Sequence, residues 1–212
     1  MKLRLENVLP LPLASNPRAS AIWRQSVDWN SGGQIFVRAP SGTGKTTLVH
    51  SLYGLRKDYT GDIFWDEKRA AQMTAAHWAD IRSKHLSVIF QDLRLMPELT
   101  AWENLEIKRQ LTNTVTEAEA KSWMDRLGIG SRLDKPGRTL SYGEQQRLSI
   151  IRALLQPFSW LLMDEPFSHL DDANKLVAAS LIDEVVKRNG ASLLLADLDD
   201  NDYFNYSQKL SL

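Results

Sequence analysis

The chain has no cysteine, which excludes disulfides, thiolate zinc sites and a cysteine nucleophile and leads one to expect a reducing compartment. No apolar run approaches the ~18–20 residues that a membrane-spanning helix needs. There is no excess of either charge, with Lys+Arg and Asp+Glu at 26 each, so the balance points neither to nucleic acid nor to an anionic membrane. Internal repeats, low-complexity tracts and linkers are also missing. What remains is a 212-residue chain, 43% hydrophobic and 25% charged. It has the size and composition of one globular domain with room for a smaller inserted lobe.

The opening "MKLRLENVLPLPLAS" sets Lys2 and Arg4 ahead of apolar residues, as a signal peptide does. Glu6, Asn7, Pro10 and Pro12 interrupt the apolar region, and the alternation in "KLRLENV" suits a first strand better. The expectation is a cytoplasmic protein that meets a membrane only through a partner.

Short apolar runs read as strands at 2–8, 34–39, 61–67, 85–90, 159–165 and in "ASLLLAD", with "WRQSVDWN" as a further candidate and a short strand near residue 212. Helical patterns follow residue 45, then cover 100–127, 143–155 and about 172–188. Within 100–127, Thr116 is an N-cap candidate with Glu119 at capping-box spacing, and Gly128 is a stop. Strands alternating with helices predict an α/β fold with a mostly parallel sheet, preceded by antiparallel N-terminal strands. Between about 92 and 155 the pattern is purely helical. This predicts a helical lobe inserted into a core made of residues 1–91 and 156–212.

"APSGTGKTT", from Ala39 through Pro40, Ser41, Gly42, Thr43, Gly44, Lys45 and Thr46 to Thr47, lies between a strand and a helix. In that setting a Gly-rich loop turns successive N–H groups inward, the helix N-terminus adds its positive end and Lys45 adds a full charge. The result is a cradle for phosphates, with the Thr46 hydroxyl available to Mg²⁺. The P-loop pattern asks for glycine at position 39. Ala39 is the smallest departure from it, and only a small effect on the loop is expected. Kinases, GTPases and motor ATPases share such a loop, so it does not by itself name a reaction.

"WLLMDEPFSHLD" supplies a second half. A buried strand delivers Asp164 to the sheet edge where ligands of open α/β folds bind. There it can orient Mg²⁺, and Glu165 beside it can polarise a water for in-line attack on a γ-phosphate.

"LSYGEQQRLSIIRALL" (140–155) resembles the signature of ABC-type ATPases followed by its helix. Taken with the P-loop, "DEP" and "SHLD" in the family's order, the resemblance covers nearly the whole chain. It implies an α/β P-loop NTPase cassette that works as a head-to-tail dimer. Each ATP then lies between one P-loop and the Ser141 and Gly143 of the other copy, with Asp171 at the seam. Tyr142 stands where the commonest form has glycine, and Glu144 where glutamine is frequent. His169 is read as a seam or surface residue. Gln91 in "VIFQDLRLMPELTAWENL" matches the family's Q-loop, whose amide reaches Mg²⁺ or the attacking water. The segment after it, with Leu95, Met96, Pro97 and Leu99, either lines a groove for a helix of a membrane permease or is simply core. Its wording most resembles ATPases of lipoprotein-release, cell-division and macrolide-export systems.

Two departures stand out. "LLLAD" aligns Asp197 with the histidine by which these ATPases sense the γ-phosphate, and no histidine is near, the four being His50, His77, His85 and His169. Asp197, Asp199, Asp200 and Asp202 thus replace a switch residue, form a metal site, or are a solvated loop. An ionised aspartate only accepts hydrogen bonds. Second, where the family stacks an aromatic on adenine, "NVLPLPLAS" offers Leu11 and Pro12, or Trp23 substitutes from elsewhere.

The expected function is therefore an ATP-binding, ATP-hydrolysing subunit with Mg²⁺ as cofactor, cytoplasmic and peripheral on the inner face of the membrane. It dimerises with itself or a paired cassette around ATP, drives a membrane permease through the groove after Gln91, and does not bind nucleic acid. Lys45, Glu165 and Gln91 form the catalytic set, and Thr46, Asp164 and Gln91 the metal set. One alternative is a degenerate cassette that binds ATP, hydrolyses little and pairs with a competent one. Another is a soluble ABC ATPase acting on DNA or ribosomes. No cysteine, no heptad run and a single cassette argue against that last reading.

Overall fold

The computed structural model describes residues 1–15 and 19–212. Two sheets carry the chain. The antiparallel one has the order β2-β1-β4-β5, from β1 (Leu3–Pro10), β2 (Ser26–Trp29), β4 (Tyr59–Trp65) and β5 (Lys68–Arg69). The other has the order β6-β7-β8-β3-β9, with every neighbouring pair parallel. It is built from β3 (Gln34–Arg38), β6 (Leu86–Ile89), β7 (Trp160–Asp164), β8 (Ser192–Asp197) and β9 (Gln208–Ser211).

The parallel sheet is buried on both faces, as its unbroken apolar runs require. Side chains alternate along each strand. Leu161 and Met163 with Leu193 and Leu195 face a core shared with Leu105, Met124, Leu148 and Leu181. Trp160 and Leu162 with Leu194 and Ala196 face a second core, shared with Leu5, Ile63, Leu48 and Trp78. Trp65 and Trp160 meet edge to face there at 5.8 Å, and each indole N–H has a carbonyl partner, Leu52 and Met1. These two large rings are thus buried with their donors satisfied, whereas the buried Trp78 Nε1 has no hydrogen-bond partner among the described residues.

Helix α1 (Lys45–Leu52) follows β3, and α2 (Ala75–Lys84), which the sequence reading does not single out, precedes β6. Between β6 and β7 lie α3 (Ala101–Thr112), α4 (Glu117–Arg126) and α5 (Tyr142–Leu154); α6 (Asp172–Arg188) joins β7 to β8. The helical stretch expected over 100–127 is two helices, because Asn113 takes a left-handed backbone (φ 50°) and ends α3. Thr116 caps α4 by accepting from the Glu119 N–H. The Glu119 side chain turns instead to Arg188, so the box is half made. The full capping boxes are Thr100–Glu103 and Ser141–Glu144.

Candidate nucleotide site

The C-terminal ends of β3, β7 and β8 converge. The register sets Arg38 beside Asp197 and Asp164 beside Ala196. The Ala39 N–H donates to the Asp197 carbonyl (2.8 Å) and the Glu165 N–H to the Ala196 carbonyl (3.0 Å). Ala39 is fully buried at the root of the loop.

Beyond it the chain turns through Gly42 (φ 77°) and Gly44 (φ 100°) into α1. At Gly44 a side chain is excluded twice over, by the left-handed backbone and by Leu13 Cδ1, which would lie 2.7 Å from a Cβ. Thr43 turns its hydroxyl back onto the Pro40 carbonyl (2.7 Å), and its own carbonyl accepts from Trp23 Nε1 (3.0 Å). Ala39, Pro40 and Thr43 therefore support the loop, while Ser41, Gly42, Gly44, Lys45, Thr46 and Thr47 line a cleft of about 490 Å³ together with Leu13, Gln91, Glu165 and Leu198. Trp23, buried and bonded to the loop's underside, is not a platform for a base. The cleft's apolar wall is Leu13 and Leu198.

Three carboxylates surround one ammonium. Lys45 Nζ lies 2.6 Å from Glu165 Oε1. Asp164 is completely buried, and among the described residues neither of its carboxylate oxygens has a hydrogen-bond partner. Burial pushes its pKa up to about 6, against the Thr46 hydroxyl and Lys45, which favour the charged form. Burial also raises the Asp197 pKa, and the Glu165 charge adds to the shift. Asp164 shares a recess of about 170 Å³ with Thr46, Gln91, Asp92 and His50, where the Thr46 hydroxyl donates to Gln91 Oε1 (3.3 Å). An orphaned buried carboxylate beside a hydroxyl and an amide oxygen is an all-oxygen donor set that suits a hard divalent cation. His50, to which the sequence reading gives no role, lines this recess, and burial lowers its pKa.

The four aspartates at 197–202 diverge. Asp197 accepts from the Leu198 N–H (2.8 Å), Asp200 pairs with Arg38 (3.5 Å) and Asp202 with Lys209 (2.7 Å). Among the described residues no group of three or more acidic or histidine side chains could hold a metal ion.

In the signature segment, neither Ser141 nor Gly143 lines the cleft. Ser141 caps α5, accepting from the Glu144 N–H (3.3 Å) while Glu144 accepts from the Ser141 N–H (2.8 Å) and from Arg132 (2.7 Å). Glu144 thus holds the exposed end of α5 in shape. A Cβ on Gly143 would come within 3.0 Å of the His169 carbonyl, and the Tyr142 ring meets the His169 imidazole edge to face at 4.4 Å. Asp171 caps α6 by accepting from the Asn174 backbone and side chain, both at 2.8 Å. Gln146, fully buried, reaches from α5 to the Pro166 carbonyl (2.7 Å) and so ties the signature helix to the strand end that carries Glu165.

A strand, a glycine-bent anion loop, a helix and an acidic neighbouring strand end define a P-loop nucleotide-binding protein. The family described as ABC transporter matches residues 24–168. The lipoprotein-releasing system ATP-binding protein LolD of Shewanella denitrificans is 32% identical over 173 residues, covering 80% of this chain and 74% of that protein. Its namesake in Myxococcus xanthus is 30% identical over 196 residues, covering 91% and 88%. The dimeric structure of MJ0796, a bacterial ABC transporter cassette, superposes with a TM-score of 0.79 at 23% identity, covering 93% of this chain and 88% of that one, which shows the fold. The chain belongs to the ABC transporter family. It is an ATP-binding ATPase cassette of the transporter type, and the readings as a degenerate cassette or a soluble non-transport ATPase are not favoured.

Proposed function

We propose that ATP lies with its phosphates along Ser41–Thr47 and that Lys45 leaves Glu165 to engage them. Thr46, Asp164 and Gln91 hold Mg²⁺, which when bound neutralises charge on the phosphates. Glu165 polarises the water that attacks the γ-phosphorus in line, giving ADP and phosphate. The observation that carries this reading is the convergence of Lys45, Glu165 and the unpartnered Asp164 at one sheet edge.

In this reading residues 1–91 and 156–212 form the nucleotide core and 92–155 the helical lobe. Ser141 and Gly143 face the nucleotide of a second cassette, a copy of this chain or a paired one, with Asp171 at the seam. That neither residue lines this chain's own cleft supports that arrangement. The cassette sits on the cytoplasmic side of the membrane, peripheral to a permease that meets the groove after Gln91. Among the described residues no helix is long and apolar enough to cross the bilayer itself.

The test is Mg-ATP turnover by the purified chain against Glu165→Gln, with light scattering for ATP-driven dimers. Turnover well above the variant, and a Glu165→Gln dimer that Ser141→Arg disrupts, support the reading. Turnover equal to the variant, with ATP bound, overturns it in favour of a cassette that only binds.

A further inference from the structure

Glu165 holds a left-handed backbone (φ 46°) where β7 ends, a conformation that persists in a non-glycine residue only when its surroundings fix it. Three sets of hydrogen bonds do so. The Glu165 N–H donates to the Ala196 carbonyl of β8 (3.0 Å), which fixes the entry to the turn. The Glu165 carbonyl accepts from the Ser168 N–H (3.4 Å) and hydroxyl (3.2 Å), both within the turn itself. The exit is Pro166, which has no N–H to give. Its carbonyl accepts from Gln146 Nε2 on α5 at 2.7 Å, the shortest bond of the set.

Among the described residues the Gln146 side chain makes this bond and no other. It is fully buried, and its Oε1 has no hydrogen-bond partner. An amide buried with one end unmet costs stability that an apolar side chain of the same shape would not. Methionine would fill this space, so the core does not need an amide here; the Pro166 carbonyl does. Helix α5 is a firm base for it. Leu148, Ile150 and Ile151 are fully buried, and the Ser141–Glu144 box closes the N-terminus. At Gly143 the helix lies so close to the segment after Pro166 that a Cβ would meet the His169 carbonyl at 3.0 Å.

We propose that Gln146 is the positioning residue of Glu165: its amide fixes the peptide that follows the strained turn, and with it the direction in which the Glu165 carboxylate meets the attacking water. The inference rests on the proposed role of Glu165. What it adds is a residue on the signature helix that governs the hydrolytic step without touching the nucleotide, since Gln146 does not line the cleft. Phosphate binding belongs to the P-loop, so loss of this bond is expected in kcat and not in affinity.

The experiment measures Mg-ATP turnover and mant-ATP affinity for the full chain, Gln146→Met, Glu165→Gln and the double variant, with melting temperatures as the check on folding. Gln146→Met is expected to lower kcat by on the order of tenfold to a hundredfold, the cost of an ångström-scale misplacement, and to leave KM and the mant-ATP Kd within about twofold. In the Glu165→Gln background it is expected to change the residual turnover little, because nothing is left to position. Gln146→Asn, which keeps the amide but falls a methylene short of the carbonyl, is expected to match Gln146→Met, and it carries the test if the methionine variant does not fold. A kcat at the natural level in either variant, a parallel loss of kcat and affinity, or losses that multiply in the double variant overturn the inference. Where Glu165→Gln turns over as fast as the natural chain, the proposed function fails and the inference with it. Where Glu165→Gln is slow and the Gln146 variants are not, the inference fails alone.

Discussion

Lys45 and Glu165 hold each other, Nζ to Oε1 at 2.6 Å, with each side chain only 9% exposed. In the proposed reading, the cation that meets a phosphate and the carboxylate that meets a water are thus partners of one another. Glu165 takes a left-handed backbone (φ 46°) at the very end of β7, a conformation that costs of order 1–3 kcal/mol in a non-glycine residue and clusters at functional sites. On the proposed function, nucleotide entry trades this pair for a phosphate–ammonium pair, and the trade frees Glu165.

A buried pair is poor evidence of net stability, but breaking one side of it is expensive. Lys45→Met is expected to destabilise the chain by about 3–5 kcal/mol, because Glu165 is left buried and alone. Lys45→Met with Glu165→Gln should recover most of that loss. Urea unfolding of the two singles and the double closes the cycle, and additive losses would show that the pair is not coupled.

Asp164 makes stability depend on pH. Its folded pKa is about 6 against an ordinary 3.8, so the folded chain binds the proton more tightly. Stability is then full below the ordinary value and declines as pH rises through about 6. Asp164→Asn, which cannot ionise, is expected to be more stable than the natural chain by about 2–3 kcal/mol at pH 8, from a shift of roughly two units. At pH 4 the gap should be absent. Melting curves from pH 4 to 8 check it, and an advantage that does not vary with pH would assign the effect to packing.

The elements were legible where one period dominated. The strands ending at Asp164 and Asp197 and the helix over 172–188 fall where the apolar runs place them, because a strand buried on both faces writes itself as an unbroken run. α2 was not legible, since its buried residues are only Trp78 and Ile81 on an otherwise polar surface. In the site, a P-loop is local in sequence and could be read whole. The Lys45–Glu165 pair joins residues 120 positions apart (165 − 45), and no spacing rule connects them. Nor could sequence show that Trp23 lies beneath the loop, or that Leu95 packs on the core while Met96 stands on the groove. Two complete capping boxes, Thr100 with Glu103 and Ser141 with Glu144 inside the signature, have the S/T-x-x-E spacing and are absent from the sequence-based expectations.

Arg152 fixes the chain between Gln91 and the groove. Leu93 and Arg94 are consecutive non-glycine residues with left-handed backbones (φ 57° and 49°), and the Arg152 guanidinium donates to both of their carbonyls. Arg152→Met is expected to cost about 2–3 kcal/mol, two charged hydrogen bonds less the retained stem. Amide exchange over residues 91–96 should accelerate while exchange in the β-strands is unaffected. Uniform acceleration would show a general loss of stability rather than a released loop.

By the resemblance to ABC-type ATPases, Asp197 stands where a histidine is expected to sense the γ-phosphate. Its carboxylate is near Glu165 and Lys45, and burial raises its pKa, so the neutral form is favoured as pH falls. Ionised, it can only repel a γ-phosphate; protonated, it can donate to one. Asp197→Asn keeps a donor at every pH, and it is expected to bind ATP several-fold to about tenfold more tightly than the natural chain at pH 8, a gain of up to roughly one pKa unit of interaction. The ratio should shrink toward one as pH is lowered, because the natural carboxyl then carries its own proton. Asp197→His is expected to gain turnover as well. ATP affinities at pH 6 and 8 for the natural chain, Asp197→Asn and Asp197→Ala decide the matter. If all three agree at both pH values, Asp197 is only the residue that closes the strand, and its carboxylate has no part in sensing phosphate.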